Sequence, residues 1–228
     1  REIHCLSDLF DLHIVGDYKL SELDISLMEF AHLLLPAYIK SPQQKSPNED
    51  IDFSFDIKKP NQITALYWPD FSMQPFNISG YYHSRKNELK LVTQNREVFY
   101  KDIKLNQISL NALKNENEKL NVKVDCKGVL NENIVAIKDI QLVSNIYDNI
   151  IDFDISAKDT TWKIDLNSNG FFNFHKDSIQ LSLIKSDLKI NKKLWSLHET
   201  SQAYFVQSGF YLQKFKITSL DEALEMRG

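Results

Sequence analysis

From about Ile51 to Ile217, apolar and polar residues alternate in segment after segment, with little helical sequence between them. Ile51-Asp52-Phe53-Ser54-Phe55-Asp56-Ile57 shows the pattern cleanly. It returns in Leu120-Asn121-Val122-Lys123-Val124, Ile151-Asp152-Phe153-Asp154-Ile155, Trp162-Lys163-Ile164-Asp165-Leu166 and Ile179-Gln180-Leu181-Ser182-Leu183. A period of two sends successive side chains to opposite faces of a strand, so each segment carries one apolar and one polar face. A long sheet built this way must hide its apolar face against a second sheet, against itself by closing, or against an apolar ligand.

The chain has 228 residues, enough for one large β domain or two small ones. A core of that size needs no disulfide or metal staple. Hydrophobic residues make up 43% and charged residues 25%, which excludes a disordered chain. The net charge of −4 argues against a nucleic-acid partner, which would call for a basic patch. No apolar run approaches the roughly 18 residues of a membrane span. The two cysteines, Cys5 and Cys126, form no CxxC. Cys126 falls in phase with Leu120, Val122 and Val124 and reads as a small buried apolar residue, with a Cys5–Cys126 disulfide as the lesser alternative. The chain starts at Arg1, and residues 223–228 begin what looks like another strand. It therefore reads as a piece of something longer, with any anchor or export signal outside it.

Residues 1–50 read as one or two strands, a helical insertion and a loop. Leu27, Phe30, Ala31, Leu34, Leu35 and Tyr38 recur at helical spacing, with Ser21 or Asp24 as N-cap and Pro36 near the end. Residues 41–50 have loop composition and offer a soft hinge. From residue 51 to 228 the expectation is a repetitive antiparallel sheet. A second short helix starts at Pro60, with Ile63, Leu66 and Tyr67 on one face, and is closed by Pro69. Candidate strands beyond it are 79–84, 88–93, 97–105, 107–113, 119–126, 134–144, 150–157, 161–167, 170–175, 178–184, 187–191, 194–197, 203–207, 209–218 and 223–227. The connections are short and polar, as in Arg85-Lys86-Asn87 and His175-Lys176-Asp177, and suit hairpins.

The polar residues give little chemistry. None of the six histidines sits at metal-ligand spacing, and His175 falls in a hairpin turn. Phosphate-binding and nucleophile motifs are missing from the sequence. Asp52/Asp56 and Asp152/Asp154 each share a strand face and could mimic a glycosidase dyad. Their alternation with apolar residues is that of any solvated face. Trp68 and Trp162 could form a sugar platform, but Trp162 and Trp195 keep apolar phase with Ile164 and Leu197.

The C-terminal half is the most specific part. It carries Asn169-Gly170-Phe171-Phe172-Asn173-Phe174, then Ser186-Asp187-Leu188-Lys189-Ile190-Asn191-Lys192-Lys193-Leu194-Trp195-Ser196-Leu197, then Phe210-Tyr211-Leu212-Gln213-Lys214-Phe215-Lys216-Ile217-Thr218-Ser219. Gly16-Asp17-Tyr18-Lys19-Leu20 leads into a helix with Leu35-Pro36, and Tyr67-Trp68-Pro69-Asp70 closes the second. Across nearly its whole length the chain resembles the β-rich region of the TamB family, the large subunit of the translocation and assembly module, in its Bacteroidetes-type form. The resemblance implies a periplasmic body anchored in the inner membrane outside this segment. It also implies a U-shaped "β-taco" sheet with an apolar lumen, phospholipid or another acyl-chain ligand as cargo, and an outer-membrane barrel protein as partner. It brings no catalytic residue, cofactor or metal. The two helical insertions depart from it and put an unobstructed lumen in question.

Two readings follow. In the first the apolar face is a groove for acyl chains, lined by Phe53, Phe55, Leu89, Leu91, Leu120, Val122, Val124, Phe153, Ile155, Trp162, Ile164, Leu166, Phe172, Phe174, Ile179, Leu181, Leu183 and Trp195. About fifteen strands would extend it to around 70 Å. Strands of five to seven residues would make each about 20 Å wide. In the second the chain is a closed β-sandwich that binds protein or glycan, its apolar phase consumed as core. A carboxylate glycosidase is a weaker third.

Overall fold

Antiparallel pairing joins nearly every consecutive pair of strands in the computed structural model. It describes residues 1–44, 48–116, 118–131, 134–159, 164–190, 193–197, 200–206, 208–220 and 222–226, with the backbone alone at 131, 134–136, 159, 164, 190 and 214. The strands are β1 (Glu2–Leu6), β2 (Phe10–Asp17), β3 (Asp50–Ile57), β4 (Phe71–Met73), β5 (Phe76–His83), β6 (Glu88–Tyr100), β7 (Ile103–Lys114) and β8 (Leu120–Asn131). They continue as β9 (Ile134–Tyr147), β10 (Ile150–Asp159), β11 (Ile164–Phe174), β12 (Ser178–Ile190), β13 (Lys193–Leu197), β14 (Ser201–Val206), β15 (Gly209–Ser219) and β16 (Glu222–Met226). All sixteen form one sheet in the order β1-β2-β3-β5-β6-β7-β8-β9-β10-β11-β12-β13-β15-β14. β4 and β5 lie in succession beside β6, and β13 and β14 in succession beside β12. β16 pairs with β15. The fold is mainly β, an open antiparallel meander with two short helices.

The central strands are longer than the sequence suggests. β6, β7, β8 and β9 have 13, 12, 12 and 14 residues. The candidate strands 88–93, 97–105 and 107–113 are in fact β6 and β7. The turn between these two falls at Lys101, which has φ 51°. The breaks read at 94–96 and 106 are a fault line across the sheet. The ladder passes from Asn95↔Ile108 to Glu97↔Asn106 without pairing Arg96 to Gln107. It likewise skips Gln107–Lys127 and Lys127–Asp139 on the next two strand pairs. Gln107 and Asp139 take the left-handed conformation, with φ 48° and 47°. Such residues bend a strand and shift its alternation. On either side of the line residues of the apolar face recur every second position; across it they are three apart, in Leu105/Ile108, Cys126/Val129 and Ile137/Ile140, and in Asn95/Val98, where the first of the two is polar. Val98 and Cys126 are buried beside it. The Cys126 thiol donates to the carbonyls of Gly128 (3.4 Å) and Asn106 (3.5 Å) where the ladder is broken. A register shift in β11 against β12 at Asn169/Gly170 explains why 178–190 is one strand and not the two expected.

Three glycines, Gly16, Gly80 and Gly170, let strands approach where no other residue fits. A Cβ on Gly80 would lie 1.8 Å from the Lys90 carbonyl oxygen, and one on Gly170 would lie 2.3 Å from that of Ser182. Large residues flank both, as is usual where a glycine allows close backbone approach.

Helix α1 (Leu23–Leu34) is shorter than expected at its C-terminal end and has no side-chain cap. It is entered through a 3₁₀ turn at Leu20–Glu22, so neither Ser21 nor Asp24 acts as N-cap. Pro36 disfavours helical conformation in the residue before it, and Leu35 duly leaves the helix with φ −132°, ψ 61°. Helix α2 (Pro60–Thr64) is also shorter than expected. The Thr64 hydroxyl donates to the Phe71 carbonyl at 3.0 Å and turns the chain back. Leu66, Tyr67 and Trp68 are consequently exposed, and Leu66 and Tyr67 form no buried helix face with Ile63. Cys5 is exposed on β1 and Cys126 buried on β8, and both are free thiols.

Candidate functional site

In antiparallel pairs, directly opposed residues share a face. The register therefore tells which side chains stand together. On β3, β5 and β6 the rows are Phe53↔Gly80↔Leu91 and Ile51↔Tyr82↔Leu89. The apolar series goes on through Leu91↔Ala112↔Val122 and Leu110↔Val124. It continues through Leu120↔Ile146↔Ile151 and Leu142↔Ile155. Phe172↔Leu181, Phe174↔Ile179 and Leu188↔Trp195 carry it to the far end. All the expected lining residues with described side chains fall on this one face. Leu120 is buried; Phe53, Phe55, Leu89, Leu91, Val122, Val124, Phe153, Ile155, Leu166, Phe172, Phe174, Ile179, Leu181, Leu183 and Trp195 are half-buried. Trp162 lies outside the described residues. Ile164 is placed by backbone register alone, opposite Asp159.

What packs on this face is α1. Phe30 and Leu34 are buried with Tyr82, Ala112 and Leu120, and Leu23, Leu35, Leu89, Leu91, Leu110, Val122 and Ile146 close around them. Twelve helical residues span about 18 Å, and the step from β5 to β9 is four strand spacings, about 19 Å. The helix thus runs across the strands along one margin of the sheet. The Phe30 ring meets the Tyr82 ring edge-on, with centroids 5.7 Å apart. Burial pushes the Tyr82 phenol above its ordinary pKa; the bond to Ser26 opposes the shift, and Glu29 and Glu49 add to it. Beyond the helix Asn149 holds the chain, its N–H donating to the Leu34 carbonyl and its Oδ1 accepting from the Ala37 N–H. Tyr38 then meets Phe174 edge-on at 5.3 Å.

Sequence reasoning missed α1's partners, Tyr82 and Ala112, and the role of Asn149. Tyr82 shares parity with Gly80 on its strand, a signal that pairing with Phe53 makes readable. Charges stand on the apolar face among the described residues: at the far end Lys193, opposite Ile190, pairs with Glu222, opposite Ser219, and nearer the helix Lys114 stands opposite Leu89. Burial lowers its pKa, with Glu118 and Glu88 opposing. Its ammonium turns to the rim, donating to the carbonyls of Asn115 (3.2 Å) and Glu116 (3.3 Å).

The opposite face is polar, and Asp152, Asp56 and Asp125 on it are engaged in the sheet. Asp152 Oδ1 accepts from both the backbone and side-chain amides of Asn145, each at 2.9 Å. Asp56 accepts from Asn77 at 2.7 Å. Gln141 donates to Asp125, the largest of the influences that lower its pKa, and Lys123 adds to it. Asp52 borders an open cavity of about 570 Å³ with His13, Tyr81 and Lys90. A second, of about 690 Å³, is lined by Arg96 and Glu97 together with Asn106 and Gln107. No cluster of metal-ligating side chains occurs among the described residues. Nor is any helix among them long and apolar enough to cross a membrane. Trp68, on its exposed loop, stands next to Tyr67, ring centroids 6.0 Å apart. Trp195 carries the Lys193 ammonium 4.9 Å from its ring centroid. Comparison with known proteins adds no relative: no protein-family model, curated protein or solved structure matches the chain.

Proposed function

We propose that this chain is a segment of a TamB-like periplasmic protein and that its apolar face carries the acyl chains of phospholipids. The observation behind this is the state of that face: apolar at directly opposed positions from strand to strand, and for the most part half-buried. A sandwich core would leave the same residues dry. Burying hydrocarbon against such a surface is favourable by about 0.8 kcal/mol per methylene. A lane of repeated apolar rows offers similar contacts at each step, so a chain can slide without any group reacting. The central strands give each side of the fault line its own wall: seven or eight residues on one side, about 25 Å, and four or five on the other. The sheet, at about 4.8 Å per strand, is some 60 Å long.

In this reading the sheet belongs to a protein anchored in the inner membrane outside this segment, reaching toward the outer membrane and an assembly-module barrel there. Helix α1 covers one margin of the lane between β5 and β9, so cargo passes beside it or displaces it. Photocrosslinking amino acids placed at Phe55, Val124 and Leu181 test the reading in cells. Capture of phospholipid at these positions, and not at polar-face positions such as Ser54, is expected. Capture of no lipid at any of the three would sink it.

A further inference from the structure

One three-strand unit occurs twice in the sheet. Phe53, Gly80 and Leu91 stand opposite one another on β3, β5 and β6. Phe153, Gly170 and Leu183 do the same on β10, β11 and β12. The neighbouring rows also match, Ile51↔Tyr82↔Leu89 against Ile151↔Phe172↔Leu181. Even the close approaches agree: each glycine abuts the carbonyl of the residue before the matching leucine, Lys90 in one copy and Ser182 in the other.

The copies differ in what covers them. Ile51 and Tyr82 are 5% and 4% exposed, whereas Ile151 and Phe172 are half-buried. Over the first copy lies α1, with Phe30 against Tyr82. The helix is also tied by polar bonds: the Tyr82 hydroxyl donates to the Ser26 carbonyl at 2.9 Å and is 2.9 Å from the Ser26 hydroxyl. In the second copy Phe172 replaces Tyr82 and has no hydroxyl to offer. The covering segment stops at that copy's edge, where Tyr38 meets Phe174.

We infer that the second copy is an acyl-chain site, and that α1 fills the first as an internal stand-in for such a chain. Phe172 has no hydroxyl with which to tie a helix as Tyr82 ties Ser26 and offers an occupant apolar contact alone, which is all that a hydrocarbon needs. The serines on this part of the face are already satisfied: Ser144 donates to the Asp152 carbonyl at 2.7 Å, and Ser168 and Ser186 bond each other at 2.6 Å. The inference rests on the acyl-chain reading of the face and locates its binding site.

The test is labelling of the 228-residue chain with a diazirine-bearing palmitate, the adducts mapped by peptide mass spectrometry. Adducts around Phe153, Phe172 and Leu181 should exceed those around Phe53, Tyr82 and Leu89 by about fivefold or more. Equal labelling, or an excess in the first copy, overturns the assignment and leaves the acyl-chain reading standing. Absence of labelling anywhere on the apolar face overturns both. Phe30→Ala should raise first-copy labelling by about threefold or more, with the second copy unchanged; no rise overturns the stand-in role. If circular dichroism shows that this variant does not fold, Tyr82→Phe, which removes the tie to Ser26 without opening a cavity, serves in its place under the same criteria.

Discussion

The Tyr82 hydroxyl donates to the carbonyl oxygen of Ser26, a residue of α1 with no exposed surface, and so ties the helix to the sheet through a fully desolvated contact. Tyr82→Phe removes that donor while keeping the ring that Phe30 packs on. It leaves the Ser26 hydroxyl buried without its partner, which costs about 1–2 kcal/mol. Urea unfolding should report the loss. Hydrogen exchange should show faster exchange in the α1 amides and little change in β10–β12.

The same phenol makes stability depend on alkaline pH. Its folded pKa is raised above the ordinary 10.0, chiefly by burial. A raised pKa means that the fold retains the proton, so the stabilisation is fully present below the ordinary value and is lost as pH rises through the folded one. The urea midpoint of the wild type should therefore fall more steeply above about pH 10 than that of Tyr82→Phe. Parallel curves for the two proteins would contradict this assignment.

Gly80 and Gly128 make a matched contrast. A Cβ on Gly80 would sit 1.8 Å from a carbonyl oxygen, whereas on Gly128 its nearest neighbour is 3.8 Å away. Gly80→Ala should destabilise by more than about 2 kcal/mol or prevent folding, and Gly128→Ala should stay within about 1 kcal/mol of wild type. Thermal melting of the two variants decides it.

The polarity of the strand faces is legible in the sequence, because a period of two needs no knowledge of partners. Phe53 and Phe55, or Leu181 and Leu183, declare their face within one segment. The fault line is not legible there. The three-residue spacing from Asn95 to Val98 looks like the end of one strand and the start of another. Only the register, aligning it with Leu105/Ile108 and Cys126/Val129, shows that four strands slip together. Helix α1 is legible as an apolar helix, but its seat is not, since Ser26 and Tyr82 are 56 residues apart. Leu66 and Tyr67 mislead for a local reason: their helical spacing from Ile63 is real, yet the helix ends at Thr64 and the chain passes into turns that leave both exposed.

At the fault line Gln107 holds φ 48° without being glycine. Gln107→Gly relieves that conformation and should be neutral or stabilising by up to about 1 kcal/mol. Gln107→Val, branched at Cβ, should lose more than about 1 kcal/mol. Chemical denaturation of the pair measures both, and equal midpoints would mean that the backbone there is not held left-handed.

The two free thiols differ in access, Cys5 exposed and Cys126 buried. A chromogenic disulfide reagent should titrate one thiol in the native protein and both in denaturant. Immediate reaction of both in the native state would place Cys126 at the surface.

The skipped pairs of Arg96, Gln107, Lys127 and Asp139 have a consequence for how such a sheet can grow. They occupy one line from β6 to β9, so its profile is written inside each strand, at a fixed distance from the turns. Its reach depends only on how many hairpins are stacked. A hairpin gained or lost along that line would lengthen or shorten the sheet at constant gauge, leaving every neighbouring cross-section as it was.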